Sequence, residues 1–196
     1  MIYRDLREPL DDLNFHDVLK NSYLSKDKQK DAFKNNGYEY DSELSNDNQQ
    51  VYYNGNKKKL LYSIAGTHNL SDVGTDAYMA FGNLKGTNRY IEAESNLKKA
   101  KDKYKPNETS IAGHSIGGNI GQYIAGKDDK VFSYDKASTI GTPTRDNETS
   151  YRTSGDLVSV LSSQNKNTTT FSNPNYFSNF WNAHDVDNIK NKNIIV

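Results

Sequence analysis

The segment Gly113-His114-Ser115-Ile116-Gly117 has the residue types and spacing needed to activate a serine hydroxyl. A G-x-S-x-G sequence is typical of a nucleophile elbow, where the serine sits on a sharp turn from a strand into a helix. The residues two positions before and after the serine must be small, because the two backbones nearly collide there. Gly113 and Gly117 meet this requirement. The pentapeptide also arises by chance, so its meaning depends on a strand before it and a helix after it.

The residues on either side of the pentapeptide predict those two elements. Residues 109–113 form a short stretch with strand character. Ile116, Ile120 and Ile124 recur every four residues, which gives a helix over 116–125 one apolar face. We therefore interpret Ser115 as a nucleophile.

A serine hydroxyl needs a base to take its proton and a carboxylate to orient that base. In folds with this elbow, the acid and then the histidine follow the serine along the chain. His184 is the only histidine after Ser115, so we expect it to be the base. Asp135 and Asp156 compete for the third position, because each follows a predicted strand, and the residue pattern does not separate them. We interpret His114 as a packing residue that points away from these partners.

The elements that position these residues are predicted by the apolar pattern. Asn54-Gly55 lies between two apolar stretches, which is a strong β-hairpin signal. Residues 60–65 are almost continuously apolar, as expected of a strand buried on both faces. Over residues 91–104, Ala93, Leu97, Ala100 and Tyr104 recur three or four residues apart, which predicts a further helix with one apolar stripe. With the strand, helix and strand around Ser115, these elements predict an α/β fold, a mostly parallel sheet flanked by helices with an N-terminal β-hairpin.

Length and composition limit the classes of function. A chain of 196 residues fits one domain, 1–196, and we expect residues 1–40 to be an N-terminal helical segment. The 25 basic and 25 acidic residues balance, so no overall positive field attracts nucleic acid. Cysteine is absent, which excludes disulfides, thiolate catalysis and cysteine-ligated zinc.

Neither a secretory signal nor a membrane-spanning stretch is indicated. The first residues carry charges of both signs, unlike a secretory signal. Every uncharged apolar run is far shorter than a membrane span requires. We expect a cytoplasmic protein or a component of a larger assembly such as a virion. The oligomeric state is not indicated by the sequence.

Four segments in order resemble the class 3 lipases, the fungal-lipase-like branch of the α/β-hydrolases. The elbow is one of them, and together they cover about residues 51–189. The segments are 64–76 (IAGTHNLSDVGTD), 111–119 (IAGHSIGGN), 139–144 (TIGTPT), and 151–158 with 184–189 (YRTSGDLV and HDVDNI). The chain is shorter than is usual for that family, and Val73 stands where the family commonly has an aromatic residue.

The resemblance implies an α/β-hydrolase-like fold and a catalytic triad of Ser115, Asp156 and His184. It also implies that the backbone N–H groups of Thr67 and Ile116 form the oxyanion hole. The implied reaction passes through an acyl-enzyme and requires no cofactor or metal.

The resemblance also suggests a substrate, which would be a carboxylic ester and in particular a lipid acyl ester. Contact with a membrane or micelle surface is compatible with such a substrate. We expect residues 76–88 to form a mobile cover over the site, and the aromatic residues Phe177, Phe180 and Trp181 to line an acyl pocket. Two alternatives stay open: a short-chain carboxylesterase, and a non-catalytic structural or binding component on a lipase-like fold.

Overall fold

One sheet organises the structure, a computed structural model that describes residues 10, 12–68, 84–137, 145–156, 159, 167–171 and 184–187. Seven strands in these residues pair in the order of the chain. Their bounds are β1 Glu39–Tyr40, β2 Gln49–Asn54, β3 Lys59–Ile64, β4 Glu108–His114, β5 Lys130–Tyr134, β6 Glu148–Thr153 and β7 Thr168–Phe171. The first three strands are antiparallel, and each neighbouring pair from β3 to β7 is parallel.

The antiparallel part contains the predicted hairpin. β2 and β3 pair from Gln49 opposite Ile64 to Asn54 opposite Lys59. Residues 55–58 make the turn, so Asn54 is the last residue of β2 and Gly55 is the first residue of the turn. Lys58 has a positive φ of 50°, a left-handed conformation of the kind hairpin loops require.

Among the described residues, two short helices precede the sheet, α1 Phe15–Asn21 and α2 Lys26–Gln29. 3-10 turns occupy Lys34–Asn36 and Leu84–Gly86. Asn14 caps α1 by accepting the N–H of Asp17 at 3.2 Å, as short polar side chains do at helix starts. α1 packs on β3 and β4.

Longer helices connect the parallel strands β3, β4 and β5. Helix α3, Asn88–Tyr104, lies between β3 and β4, and helix α4, Ile116–Ile124, lies between β4 and β5. Thr87 caps α3, since its side-chain oxygen accepts the N–H of Tyr90 at 3.2 Å. Of the predicted apolar stripe on α3, Ala93, Leu97 and Ala100 are buried and Tyr104 is half-buried, and Tyr90 is buried on the same helix. In the described part of the chain, every helix is too short or too polar to cross a bilayer.

Each face of the sheet carries its own apolar core, because successive side chains of a strand point to opposite faces. The core on the side of α1 includes Phe15, Val18, Leu19, Leu61, Ala112 and Phe132. The core under α3 and α4 includes Leu60, Tyr62, Ile64, Leu97, Ile111 and Ile120. β3 is therefore buried on both faces, as predicted. The predicted α/β fold is confirmed: a mostly parallel sheet flanked by helices, with an antiparallel hairpin at its N-terminal edge.

Candidate active site

Ser115 occupies the turn between β4 and α4 in a strained backbone conformation. Its φ is 55° and its ψ is −126°. In a residue with a side chain, such a conformation costs on the order of 1–3 kcal/mol. Two backbone hydrogen bonds hold it there. The N–H of Ser115 donates to the carbonyl of Tyr134 at 3.1 Å, and the N–H of Ala137 donates to the carbonyl of Ser115 at 3.1 Å.

The flanking glycines allow the backbones to meet at the elbow. A Cβ atom at Gly113 would lie 2.5 Å from the carbonyl group of Gly117. A Cβ atom at Gly117 would collide with the carbonyl oxygens of Ile64 and Ala65, at the end of β3. Both positions therefore require glycine for lack of space.

The end of β3 runs directly beside Ser115. A Cβ atom built on Gly66 would lie 3.0 Å from the Cβ of Ser115, so the loop at residues 65–67 lies beside Ser115. The N–H of Ile116 opens α4, where first-turn amides have no intrahelical acceptor and favour negative charge. Thr67 thus lies in the loop that follows β3, and Ile116 is the first residue of α4.

Ser115 and His184 line one pocket of about 190 Å³. Its lining residues in the described part of the chain are Tyr23, Thr67, His68, His114, Ser115, His184, Asp185 and Val186. The fold thus brings the predicted nucleophile, the predicted base and one predicted oxyanion residue to the same cavity.

Asp156 lies behind His184, on the side away from the pocket. Its Oδ1 is 3.0 Å from His184 Nδ1, and both side chains are 1% exposed. The distance between these two atoms is that of an ion pair, but the angle of the contact is not that of a hydrogen bond. Asp156 Oδ2 accepts the N–H of Ser159 at 2.9 Å, which fixes the carboxylate. His184 Nε2 makes no hydrogen bond within the described residues, so this nitrogen can accept a proton.

Burial lowers the pKa of His184, but the carboxylates of Asp156 and Asp135 outweigh it, and the pKa ends above its ordinary value. Nearby negative charge favours the protonated ring. A base whose pKa is raised takes up a proton more readily during reaction.

Asp135, the alternative candidate for the triad acid, is fully buried beside Asp156 and His184. Its Oδ1 accepts the N–H of Thr153 at 2.6 Å, and its Oδ2 accepts the hydroxyl of Thr153 at 3.0 Å. Burial, and then the charge of Asp156, raise the pKa of Asp135 to about 7. The site therefore contains two buried carboxyl groups, of which Asp156 makes the ion-pair contact with His184.

The interpretation of His114 as a packing residue was wrong. Its Nε2 lies 2.9 Å from the carbonyl oxygen of His184, and its Nδ1 lies 2.5 Å from the hydroxyl of Tyr23. A carbonyl only accepts, so Nε2 carries the proton and Nδ1 accepts from Tyr23. Burial lowers the pKa of His114 to about 3, which keeps the ring neutral and preserves this arrangement. The Tyr23 oxygen in turn accepts the N–H of Gly66 at 2.7 Å.

A hydrogen-bonded chain therefore joins the loop at residues 65–67 to the backbone of His184 through Tyr23 and His114. Tyr23 is not indicated by any pattern in the sequence. Its position in the turn after α1 gives no signal, because the partners are far apart in the chain.

A metal ion does not fit the cluster formed by His114, Asp135 and His184, although their ligand atoms lie within 4.8 Å of one another. Both nitrogens of His114 are occupied by hydrogen bonds, and Nδ1 of His184 faces Asp156. Binding a metal there would break the contacts that hold the histidines in place.

Some predictions lie outside the described residues. Among them are most of the proposed cover at 76–88, the family-like segment 139–144, and the aromatic residues Phe177, Phe180 and Trp181.

No protein-family model and no curated protein sequence matches this chain. Solved structures do match its fold. A triacylglycerol lipase whose catalytic centre is described as a serine-protease triad has a TM-score of 0.51 at 12% identity, over 74% of this chain and 70% of that chain. A fungal lipase has a TM-score of 0.52 at 11% identity, over 87% and 82%. A deletion mutant of the Rhizomucor miehei lipase–propeptide complex has a TM-score of 0.52 at 11% identity, over 81% and 65%. At these identities the likeness establishes the fold, which is the α/β-hydrolase-like fold of these lipases.

Proposed function

We propose that this chain is a serine hydrolase that cleaves carboxylic esters, with Ser115 as nucleophile, His184 as base and Asp156 as the orienting acid. The observation that carries the proposal is the shared pocket. The strained Ser115 and His184 line one cavity. His184 Nε2 makes no hydrogen bond within the described residues. Asp156 Oδ1 lies 3.0 Å from Nδ1 of the same imidazole. A fold alone does not imply an activity, so the proposal rests on these side chains.

The first half-reaction forms an acyl-enzyme. Ser115 Oγ bonds to the ester carbonyl carbon while His184 Nε2 takes the hydroxyl proton, and the carbonyl electrons move onto oxygen. The backbone N–H groups of Thr67 and Ile116 donate to this oxyanion. When the C=O bond re-forms, the C–O bond to the alcohol breaks, and His184 returns the proton to the leaving oxygen.

The second half-reaction repeats these steps with water. His184 Nε2 takes a proton from water as the water oxygen bonds to the acyl carbon. When the tetrahedral intermediate collapses, the C–Oγ bond breaks, His184 returns the proton to Ser115 Oγ, and the carboxylic acid is released. Asp156 stabilises the imidazolium in both halves, because its carboxylate faces Nδ1 in a site that excludes solvent.

The proposed substrate class is a lipid or other apolar acyl ester. Triacylglycerol lipase is the description given to a solved structure of similar fold, which supports this class.

A short-chain carboxylesterase is the second candidate, and the pocket volume favours it. The pocket occupies about 190 Å³. Ligand sites are typically larger, at roughly 300–1000 Å³. Turnover against increasing acyl length, with and without vesicles, separates the two candidates.

Labelling with a fluorophosphonate probe tests the proposal, because the probe reacts only with an activated serine. We expect the wild-type protein to be labelled at Ser115. Ser115→Ala should fold, remain unlabelled and hydrolyse a short nitrophenyl ester about 10⁴-fold or more slowly. If the folded wild-type protein is neither labelled nor active on any ester, the chain is instead a structural or binding component on this fold.

A further inference from the structure

Arg89 reaches from the first turn of α3 to the loop beside Ser115. Its guanidinium donates from Nη2 to the carbonyl oxygen of Gly66 at 3.1 Å, and from the same nitrogen to the carbonyl oxygen of Ala65. These two carbonyls belong to consecutive peptide groups. Arg89 therefore holds two successive peptide groups of the loop that follows β3.

The orientation of a carbonyl determines that of the N–H in the same peptide group. The described peptide bonds are all trans, and in a planar trans peptide the C=O and the N–H point in opposite directions. Because the carbonyls of Ala65 and Gly66 face Arg89, the N–H groups of Gly66 and Thr67 must face away from it. The first of these donates to the hydroxyl of Tyr23 at 2.7 Å, as this geometry requires. The second is the N–H assigned to the oxyanion hole.

The positive charge of Arg89 strengthens its hydrogen bonds to the loop. Within the described residues no carboxylate pairs with it, and burial, its largest influence, lowers its pKa from the usual value. A guanidinium remains protonated at neutral pH even so. Hydrogen bonds from a charged donor are roughly twice as strong as neutral ones, which suits a contact that must resist peptide rotation.

We propose that Arg89 is a positioning residue that holds the oxyanion hole in its working orientation, by fixing the peptide group whose N–H, that of Thr67, is assigned to the developing oxyanion. The proposal rests on the proposed ester hydrolase function. Without Arg89 the peptide between Gly66 and Thr67 can rotate, and the Thr67 N–H then no longer faces the developing negative charge.

The kinetic experiment compares Arg89→Met and Arg89→Lys with a matched control, Lys99→Met, which removes a positive charge from an exposed position of the same helix. Loss of one oxyanion donor costs on the order of 10²–10³ in kcat, so partial loss of its orientation in Arg89→Met should cost about 10–100-fold with little change in KM. Arg89→Lys keeps the charge on a shorter side chain without the guanidinium group, and should recover part of kcat. Lys99→Met should stay within about twofold of wild type.

Thiono esters distinguish an oxyanion effect from a general structural defect. Sulfur is larger than oxygen and a poorer acceptor, so an ordered oxyanion hole favours the oxo ester strongly. Arg89→Met should therefore lower the ratio of oxo-ester to thiono-ester rates. If both rates fall equally, or if kcat is unchanged in a folded variant, the proposal is wrong. If Arg89→Met does not fold, the same ratio measured on Arg89→Lys decides the question.

Amide hydrogen exchange gives a readout that needs no activity. Exchange in the peptide containing residues 65–67 should be faster in Arg89→Met and Arg89→Lys than in wild type and Lys99→Met. If the wild-type protein is inactive but the exchange changes as expected, the hydrolase proposal fails while the anchoring of the loop stands. Unchanged exchange would overturn the role of Arg89 whether or not the wild-type protein is active.

Discussion

The elbow at Gly113–Gly117 and the segment 184–187 that carries the proposed base are positioned by different kinds of contact. The elbow is held by backbone against backbone. Its glycines leave no room for a methyl group, and the hydrogen bonds that fix Ser115 come from main-chain atoms of Tyr134 and Ala137. Such a site is rigid because it is tightly packed.

The base-bearing segment is held by polar side chains. His184 contacts the carboxylate of Asp156 and accepts a hydrogen bond from His114 through its carbonyl. Three residues further on, Asp187 Oδ1 lies 3.0 Å from His16 Nε2 and 2.8 Å from Lys20 Nζ, which ties the segment to α1.

This difference determines how each side of the site can fail. A packed backbone responds to added volume and is indifferent to pH. A buried polar network responds to the loss of one charge, and its groups titrate. Added volume should therefore damage the elbow side, which is Gly113–Gly117. Altered charge should damage the base side, which is the segment 184–187 with the polar side chains that hold it.

The largest effect is expected from removing the charge of Asp156. Asp156→Asn keeps the shape of the side chain but no longer stabilises the imidazolium of His184, and the amide can favour the wrong tautomer of the ring. In a comparable serine triad this change costs about 10⁴-fold in kcat, and we expect a loss on the order of 10³–10⁴-fold here. Initial rates on a nitrophenyl ester measure it.

Two further variants sharpen this result. Asp128→Asn, at an exposed loop position, should leave kcat unchanged. Asp135→Asn should reduce kcat far less than Asp156→Asn. The reverse order, with Asp135→Asn the more damaging, would mean that Asp135 is the triad acid.

The sequence predicted the elbow side well, because its determinants are local. The small residues, the strand and the helix lie next to Ser115 in the chain, where periodicity and motif spacing are informative. The fold class followed from the same patterns.

The base side was predicted only in part. Asp135 and Asp156 follow adjacent parallel strands, β5 and β6, whose carboxyl ends meet at one edge of the sheet, so both acids satisfy the motif. Their separate roles depend on distances that the order of residues does not contain. The same holds for His114, Tyr23 and Arg89, whose partners belong to distant segments. Long-range polar contacts leave no periodic trace in a sequence.

The second prediction adds volume to the elbow. Alanine normally stabilises a helix by about 1 kcal/mol relative to glycine. At Gly117, however, the new methyl group collides with two backbone carbonyls that cannot move as a side chain can. We expect Gly117→Ala to lower the free energy of unfolding by about 2–3 kcal/mol. Urea denaturation measures this change.

A matched glycine variant tests whether lack of space is the cause. At Gly55, in the hairpin turn, a Cβ atom would meet only a side-chain atom of Tyr53 at 3.7 Å. Gly55→Ala should therefore change the free energy of unfolding by less than about 0.5 kcal/mol. Equal effects at the two positions would contradict the steric account of the elbow.

The smallest effect is a shift in pH dependence caused by Asp135. Asparagine at this position can keep both contacts to Thr153, through its oxygen and its amide, but it cannot ionise. The charge of Asp135 favours protonated His184, so its removal lowers the pKa of the base. Because the base must be neutral to act, the acidic limb of kcat/KM should move to lower pH, by less than about one unit.

Stability provides an independent check on the same carboxyl group. Its pKa rises from 3.8 to about 7 on folding, so between these values the native protein binds more protons than the unfolded chain. This group's contribution to stability is therefore complete below about pH 4 and is lost as the pH rises through about 7. Asp135→Asn should abolish that loss, and the variant should gain on wild type in free energy of unfolding between about pH 5 and pH 8. Asp128→Asn should follow wild type throughout. If both the acidic limb of kcat/KM and the stability profile of Asp135→Asn match those of wild type, Asp135 does not titrate beside His184. The base side would then respond to Asp156 alone.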